Sequence, residues 1–197
     1  MTAGRRPRGR VRAVLALGLV VGLSPVGTAA SWTDNVAVTG TTLRSGTLDL
    51  QVNDANAVTT ATLSMADMVP GATSAEVFRV RNAGTAALTY TITGGLGGAD
   101  AAAFASAGAL RLSVSAGATR SGTGNAATCT GGTALLSDQA LTAATGATLV
   151  GTAQGPLAAG AQGAPLCFQI AFSAGAPTSL QGRTATATFT VNGTSTP

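Results

Sequence analysis

Residues 87–93 alternate strictly. Leu88, Tyr90 and Ile92 fall on one side, and Thr89, Thr91 and Thr93 on the other. Successive side chains of an extended strand point to opposite faces, so this spacing describes a strand buried on one face. The rhythm returns along the chain. Residues 36–43 and 47–52 form a first pair of runs turned at Ser45-Gly46, and Val58, Ala61 and Leu63 mark a third before Pro70-Gly71. Residues 76–81 carry Val77, Phe78 and Val80 and lead into the turn residues Asn82-Ala83-Gly84. Leu110, Leu112 and Val114 alternate, as do Leu166, Phe168, Ile170 and Phe172. Residues 148–152 and 183–191 complete the set, the last with Phe189 and Val191 inward.

Gly and small polar residues punctuate these runs. Residues 94–98 read as a strand break. Residues 99–105 read as a helical turn with Asp100 near its N-cap, and 138–144 as a short helix or a loop edge. Residues 116–133 are small and polar and read as a long loop carrying Cys129. Gly155-Pro156-Leu157 begins another turn. Eight to ten short strands with one or two short helical turns predict an all-β fold, an antiparallel jelly-roll-like β-sandwich. No fixed-period repeat and no linker interrupts residues 31–197, which are expected to form a single domain.

The first thirty residues are of another kind. Arg5, Arg6, Arg8, Arg10 and Arg12 precede an apolar run over 13–23, and small residues follow through Thr28, Ala29, Ala30 and Ser31. A basic start, a short apolar stretch and a small-residue cleavage zone make an export signal. The apolar run is shorter than the roughly 20 residues that span a bilayer. The expectation is cleavage near Ala30 and a secreted or cell-surface product that meets the membrane only transiently. The competing reading is a retained anchor.

That cut changes the charge argument. The whole chain carries a formal charge of +4, which points to nucleic acid. Five of its eleven basic residues, all arginine, lie in the leader. The 167 residues left after the cut hold six arginines against seven acids, a net −1. A phosphate backbone has no basic patch to meet, so nucleic acid is rejected as a partner. Two cysteines, Cys129 and Cys167, fall in the exported part and allow one pairing, a disulfide, against the alternative of two buried thiols.

The chain contains no His. A Ser-His-Asp triad, a Cys-His pair and a His-Glu-x-x-His zinc site are all ruled out. Without Lys there is no phosphate-binding P-loop. Glu76 is the only Glu, the Asp residues are scattered, and no Asp-x-Asp-x-Asp-Gly run suggests calcium. No enzyme activity, no metal and no cofactor is expected.

A resemblance follows from the order of several motifs. Ala30-Ser31-Trp32-Thr33-Asp34 is followed by Ser45-Gly46-Thr47-Leu48-Asp49-Leu50, then Pro70-Gly71, then residues 77–82, ending in Asn82, and Gly84-Thr85. This resembles the TasA/camelysin family over residues 13 to 92, and the leader resembles those cut by that family's dedicated signal peptidase. The resemblance implies a jelly-roll subunit of an extracellular fibre in a biofilm matrix or on the cell surface. It also implies assembly by donor-strand exchange, with self or other matrix and surface proteins as partners. The donor would be residues 31–39, with Ser31, Trp32, Thr33, Asp34, Val36 and Val38. Trp32 either anchors in a neighbour's groove or packs into its own core. The metallopeptidase label that camelysin-like members carry is not transferred to a chain without His. The runner-up is a monomeric secreted module that binds glycan or protein. An edge strand is a template for pairing, and head-to-tail contacts that do not close make filaments.

Overall fold

A computed structural model describes residues 46–56 and 67–196. The chain divides into two units, Met1–Leu43 and Arg44–Pro197, and the described residues all belong to the second. The leader, its cleavage zone at Thr28–Ser31, the donor segment 31–39, the runs at 36–43 and 58–63, and Ser45 lie outside the described residues.

The alternation over 88–92 builds a strand whose apolar side is fully covered. Leu88, Tyr90 and Ile92 are buried, while Thr89, Thr91 and Thr93 are half-exposed. Eleven strands are found among the described residues: β1 (Leu50–Val52), β2 (Thr73–Phe78), β3 (Val80–Asn82), β4 (Leu88–Gly97), β5 (Leu110–Ala116), β6 (Thr119–Ser121), β7 (Thr128–Thr130), β8 (Thr133–Ala140), β9 (Ala147–Leu157), β10 (Leu166–Phe172) and β11 (Thr186–Ser195). One helix, α1 (Ala101–Ser106), and one 3-10 turn, Thr178–Leu180, accompany them.

The strands pair as a four-stranded sheet ordered β2-β10-β5-β8, a three-stranded sheet ordered β11-β4-β9, and two small ribbons, β1-β3 and β6-β7. Every paired strand is antiparallel to its neighbour. The result is an all-β sandwich. Its core draws Leu112, Val114, Phe168 and Ile170 from the larger sheet and Leu88, Ile92, Leu96 and Val150 from the smaller. Phe168 of β10 meets Phe78 of β2 and Phe189 of β11, each with ring centroids 5.2 Å apart. Burying an aromatic or aliphatic side chain of this size contributes about 1.5–3 kcal/mol.

Several expectations are corrected. Residues 94–97 do not break the strand; β4 runs through them. A Cβ on Gly94 would sit 2.5 Å from the Thr188 carbonyl oxygen, and one on Gly95 would sit 2.2 Å from that of Ala144. These glycines let neighbouring backbone come close, the strand use of Gly that weak propensity conceals. Residues 138–140 are strand, not helix. Asp138 takes a φ of 47° beside a register shift between β5 and β8, and its N–H donates to Ser113 Oγ at 3.0 Å. Gly155-Pro156-Leu157 belongs to β9 rather than to a turn. Residues 116–133 are not a plain loop but hold the β6–β7 hairpin. The final strand starts at Thr186 and continues past Val191 to Ser195.

The run 76–81 is divided. Arg79 separates β2 from β3, and the chain changes sheets there. Asn53 makes the junction, donating its N–H to the Arg79 carbonyl and accepting the Arg79 N–H on Oδ1, both at 2.8 Å. The expected helical turn is α1, six residues long. Asp100 precedes it but does not cap it through its side chain. Its carboxylate instead accepts from Arg183 Nη1 and from the Thr184 N–H, both at 3.1 Å.

Candidate assembly surface

Two of the motifs in the described part come together, residues 46–50 and the Asn82–Gly84 turn, and what they build is a clamp. The Asn82 side chain is fully buried. Its amide nitrogen donates to the carbonyls of Ala86 at 2.8 Å, Leu157 at 3.0 Å and Ala158 at 3.2 Å, and its Oδ1 accepts the Gly84 N–H at 3.0 Å. One side chain therefore ties the end of β3, the following turn and the end of β9. Against the same turn lie residues 46–50 of the hexapeptide. Ala83 N–H donates to the Asp49 carbonyl at 2.7 Å, Thr85 N–H to the Thr47 carbonyl at 2.9 Å, and Thr47 N–H to Thr85 Oγ1 at 2.9 Å.

Both glycines of this clamp are required by contact. A Cβ on Gly84 would lie 2.3 Å from the Thr47 carbonyl oxygen, and one on Gly46 would lie 2.9 Å from the Ala86 Cβ. Leu50 packs against the core, whereas Leu48 is exposed. Pro70 and Gly71 sit elsewhere, in a turn closed by Ala72 N–H to the Val69 carbonyl at 2.9 Å. Gly71 has a φ of 89°, which Gly adopts without steric cost.

Cys129 on β7 and Cys167 on β10 are joined in a disulfide, with Cα atoms 5.8 Å apart. Leu166, Phe168, Ile170 and Phe172 face the main core, so Cys167 faces the opposite side of the sheet. There it forms a second small cluster with Ala75, Ala118 and Ala127. Gln169, on that same outer face, accepts the Cys129 N–H at 2.8 Å. The β6–β7 hairpin is thus fastened over the outside of β10 and β2. It also reaches the free side of β2, where Thr73 N–H donates to the Asn125 carbonyl at 2.8 Å.

Four strands lie at the edges of the two main sheets: β2, β8, β9 and β11. Three are interrupted. β2 is bridged at Thr73 as described. β8 carries Asp138, bound by Arg111 Nε at 2.7 Å and largely exposed. This ion pair holds the Asp138 carboxyl below its ordinary pKa, chiefly through the hydrogen bond from Arg111. β9 shifts register three times against β4 and contains Pro156, which has no N–H to offer.

β11 differs. It holds an unshifted ten-residue register against β4, from Thr186↔Gly97 to Ser195↔Leu88. It contains no charged residue and no proline. Thr196 N–H donates to the Ala87 carbonyl at 3.0 Å, and hydrogen-bonded pairs alternate in an antiparallel ladder. The even-numbered residues of β11 therefore bond to β4. Ala187, Phe189, Val191, Gly193 and Ser195 aim their N–H and C=O groups off the edge of the sheet. The side chains of Ala187, Phe189 and Val191 pack against the core. Among the described residues no strand pairs with this edge.

No group of three or more His, Cys, Asp or Glu comes together among the described residues. A cavity of about 520 Å³ is lined by Met68, Val69, Pro70, Phe104, Phe172 and Leu180, with Asp67 and Arg183 beside them. Arg183 is taken up by Asp100 and by the Ser179 carbonyl. No helix among the described residues is long and apolar enough to cross a membrane.

Residues 7–92 match the family described as camelysin metallo-endopeptidase, in agreement with the TasA/camelysin resemblance carried by the motifs. No curated protein matches the chain. That description names a metallo-endopeptidase, but this chain offers a metal no imidazole and no free thiolate. The chain has no His, and both of its Cys are consumed by the disulfide.

Proposed function

We propose that this chain, camelysin-like over residues 7–92, is an exported, non-catalytic subunit of an extracellular or cell-surface fibre. Copies join by strand addition. The outer edge of β11 receives an extended segment, and residues 31–39 of the next copy supply it, with Trp32, Val36 and Val38 as the apolar side chains. The carrying observation is the β11 edge, whose ten residues keep one register with no charge and no proline to obstruct pairing. Natural sheets that must stay apart blunt such an edge with charge, proline or a bulge, as β8 and β9 do here. Adding a strand gives backbone hydrogen bonds along its length, while alternate side chains supply specificity.

The experiment compares three proteins by size-exclusion chromatography and electron microscopy. One begins at Ser31, one at Gly40, and one begins at Ser31 and carries Ala187→Pro. The N–H of Ala187 points off the edge, so proline there removes an edge donor and leaves the β4 ladder intact. The Ser31 form is expected to give filaments, and the other two to remain monomeric. A monomeric Ser31 form would refute fibre assembly in favour of a monomeric surface module. Filaments from Ala187→Pro would move the acceptor away from β11.

A further inference from the structure

Asn192 is the only asparagine of the chain followed by glycine. That dipeptide usually marks a hairpin turn. Here it lies inside β11, with Asn192 opposite Thr91 and Gly193 opposite Tyr90. Asn192 is exposed. Its side-chain amide donates to Thr93 Oγ1 on the neighbouring strand at 3.0 Å, and to the Thr190 carbonyl at 3.5 Å. Gly193 is among the residues whose N–H points off the sheet edge, so no ladder bond to β4 holds its nitrogen. It carries no side chain to screen that nitrogen. Beyond Asn192 the strand has only the rungs Gly193↔Tyr90, Thr194↔Thr89 and Ser195↔Leu88, followed by the Thr196 N–H bond to the Ala87 carbonyl. Element ends of this kind open most readily.

We infer that Asn192–Gly193 is a site of spontaneous deamidation, restrained in the folded protein by Thr93. When the strand end opens, the Gly193 backbone nitrogen attacks the side-chain carbonyl carbon of Asn192. A C–N bond forms, and the Gly193 amide proton passes through solvent to the departing nitrogen, which leaves as ammonia. The resulting succinimide takes up one water at either carbonyl, giving aspartate or isoaspartate. No oxidant, reductant or enzyme is involved. Either product places a negative charge on a face of β11 otherwise made of Thr. Isoaspartate also adds one atom to the main chain, so the three rungs beyond Asn192 lose register. Thr93 acts as a positioning residue: its hydroxyl draws the Asn192 amide across to β4 and away from the Gly193 nitrogen. This inference stands apart from the assembly reading.

The test is a time course on the purified full chain in mildly alkaline buffer. Peptide mass spectrometry locates the amide-to-acid change, and isoaspartyl methyltransferase labelling identifies the product. Asn192 should convert ahead of the other five asparagines. Thr93→Val should accelerate conversion about 2- to 10-fold, the range set by one net hydrogen bond, while Thr93→Ser keeps the wild-type rate. Gly193→Ala should slow Asn192 to the pace of the others. Its Cβ would meet nothing closer than Leu50 at 3.7 Å, so the strand tolerates it. Conversion of another asparagine before Asn192 would overturn the proposal. So would Thr93→Val converting at the wild-type rate, or Thr93→Ser converting as fast as Thr93→Val.

Discussion

Truncating Asn82 to Ala removes a side chain that bonds three carbonyls and one N–H inside the protein. The amide nitrogen has two hydrogens for three acceptors, so about three full hydrogen bonds are lost. Each contributes about 1 kcal/mol net, and the abandoned carbonyl of buried Leu157 adds to the loss because water reaches it poorly. The expected destabilisation is about 3–5 kcal/mol. For a unit of this size that lowers the melting temperature by roughly 10 °C. Urea unfolding followed by far-ultraviolet circular dichroism should show an earlier midpoint at an unchanged slope. Asn82→Asp is the sharper probe. It keeps the size and the acceptor for Gly84, but turns a negative oxygen toward the three carbonyls. Its stability should be poor at neutral pH and partly recover in acid, where a protonated carboxyl again offers one donor. A loss under about 1 kcal/mol for Asn82→Ala, or a neutral-pH Asn82→Asp as stable as the parent, would refute the clamp as a source of stability.

Two further outcomes can be measured in the same way. Replacing Cys129 and Cys167 together by Ala opens a link between residues 38 apart, which on the chain-entropy account removes about 4 kcal/mol; an unchanged urea midpoint would mean the hairpin holds without it. The Asp138 carboxyl has a folded-state pKa below its unfolded value, chiefly through the Arg111 hydrogen bond. Its contribution is present above the ordinary carboxylate pKa and disappears as pH falls through the lower, folded one. Asp138→Asn should therefore flatten the acid limb of the stability curve and leave the alkaline limb unaltered, as pH titration of the unfolding midpoint would show.

The faces of the long strands were legible because burial follows the pleat. Leu88, Tyr90 and Ile92, and again Leu166, Phe168, Ile170 and Phe172, go inside as their spacing requires. The places that misled are those where the deciding partner is distant in sequence. Gly94 and Gly95 stay in a strand because backbone at Thr188 and Ala144 comes within contact of them. Three-residue strands at β6 and β7 have too little pattern to read, and what defines them is the disulfide and Gln169 on another strand. Asp138 looks like a loop or helix residue until its φ of 47° and its Arg111 partner are seen together. The motifs at Gly46–Leu50 and at Asn82 and Gly84 stood out in the sequence. That they grip one another could be read only from the hydrogen bonds. The edge character of β11 was likewise hidden, since an edge is defined by what lies beside a strand rather than within it.

The covalent tie between β7 and β10 also bears on how the protein yields to mechanical load. Residues 129–167 form a closed ring, including all of β8 and β9. At about 3.3–3.6 Å of contour per residue, roughly 130 Å of polypeptide is withheld from extension when the two chain ends are pulled apart. Only the stretches before Cys129 and after Cys167 can lengthen, and β11 lies in the second of them, so it would peel from β4 while the ringed strands keep their contour.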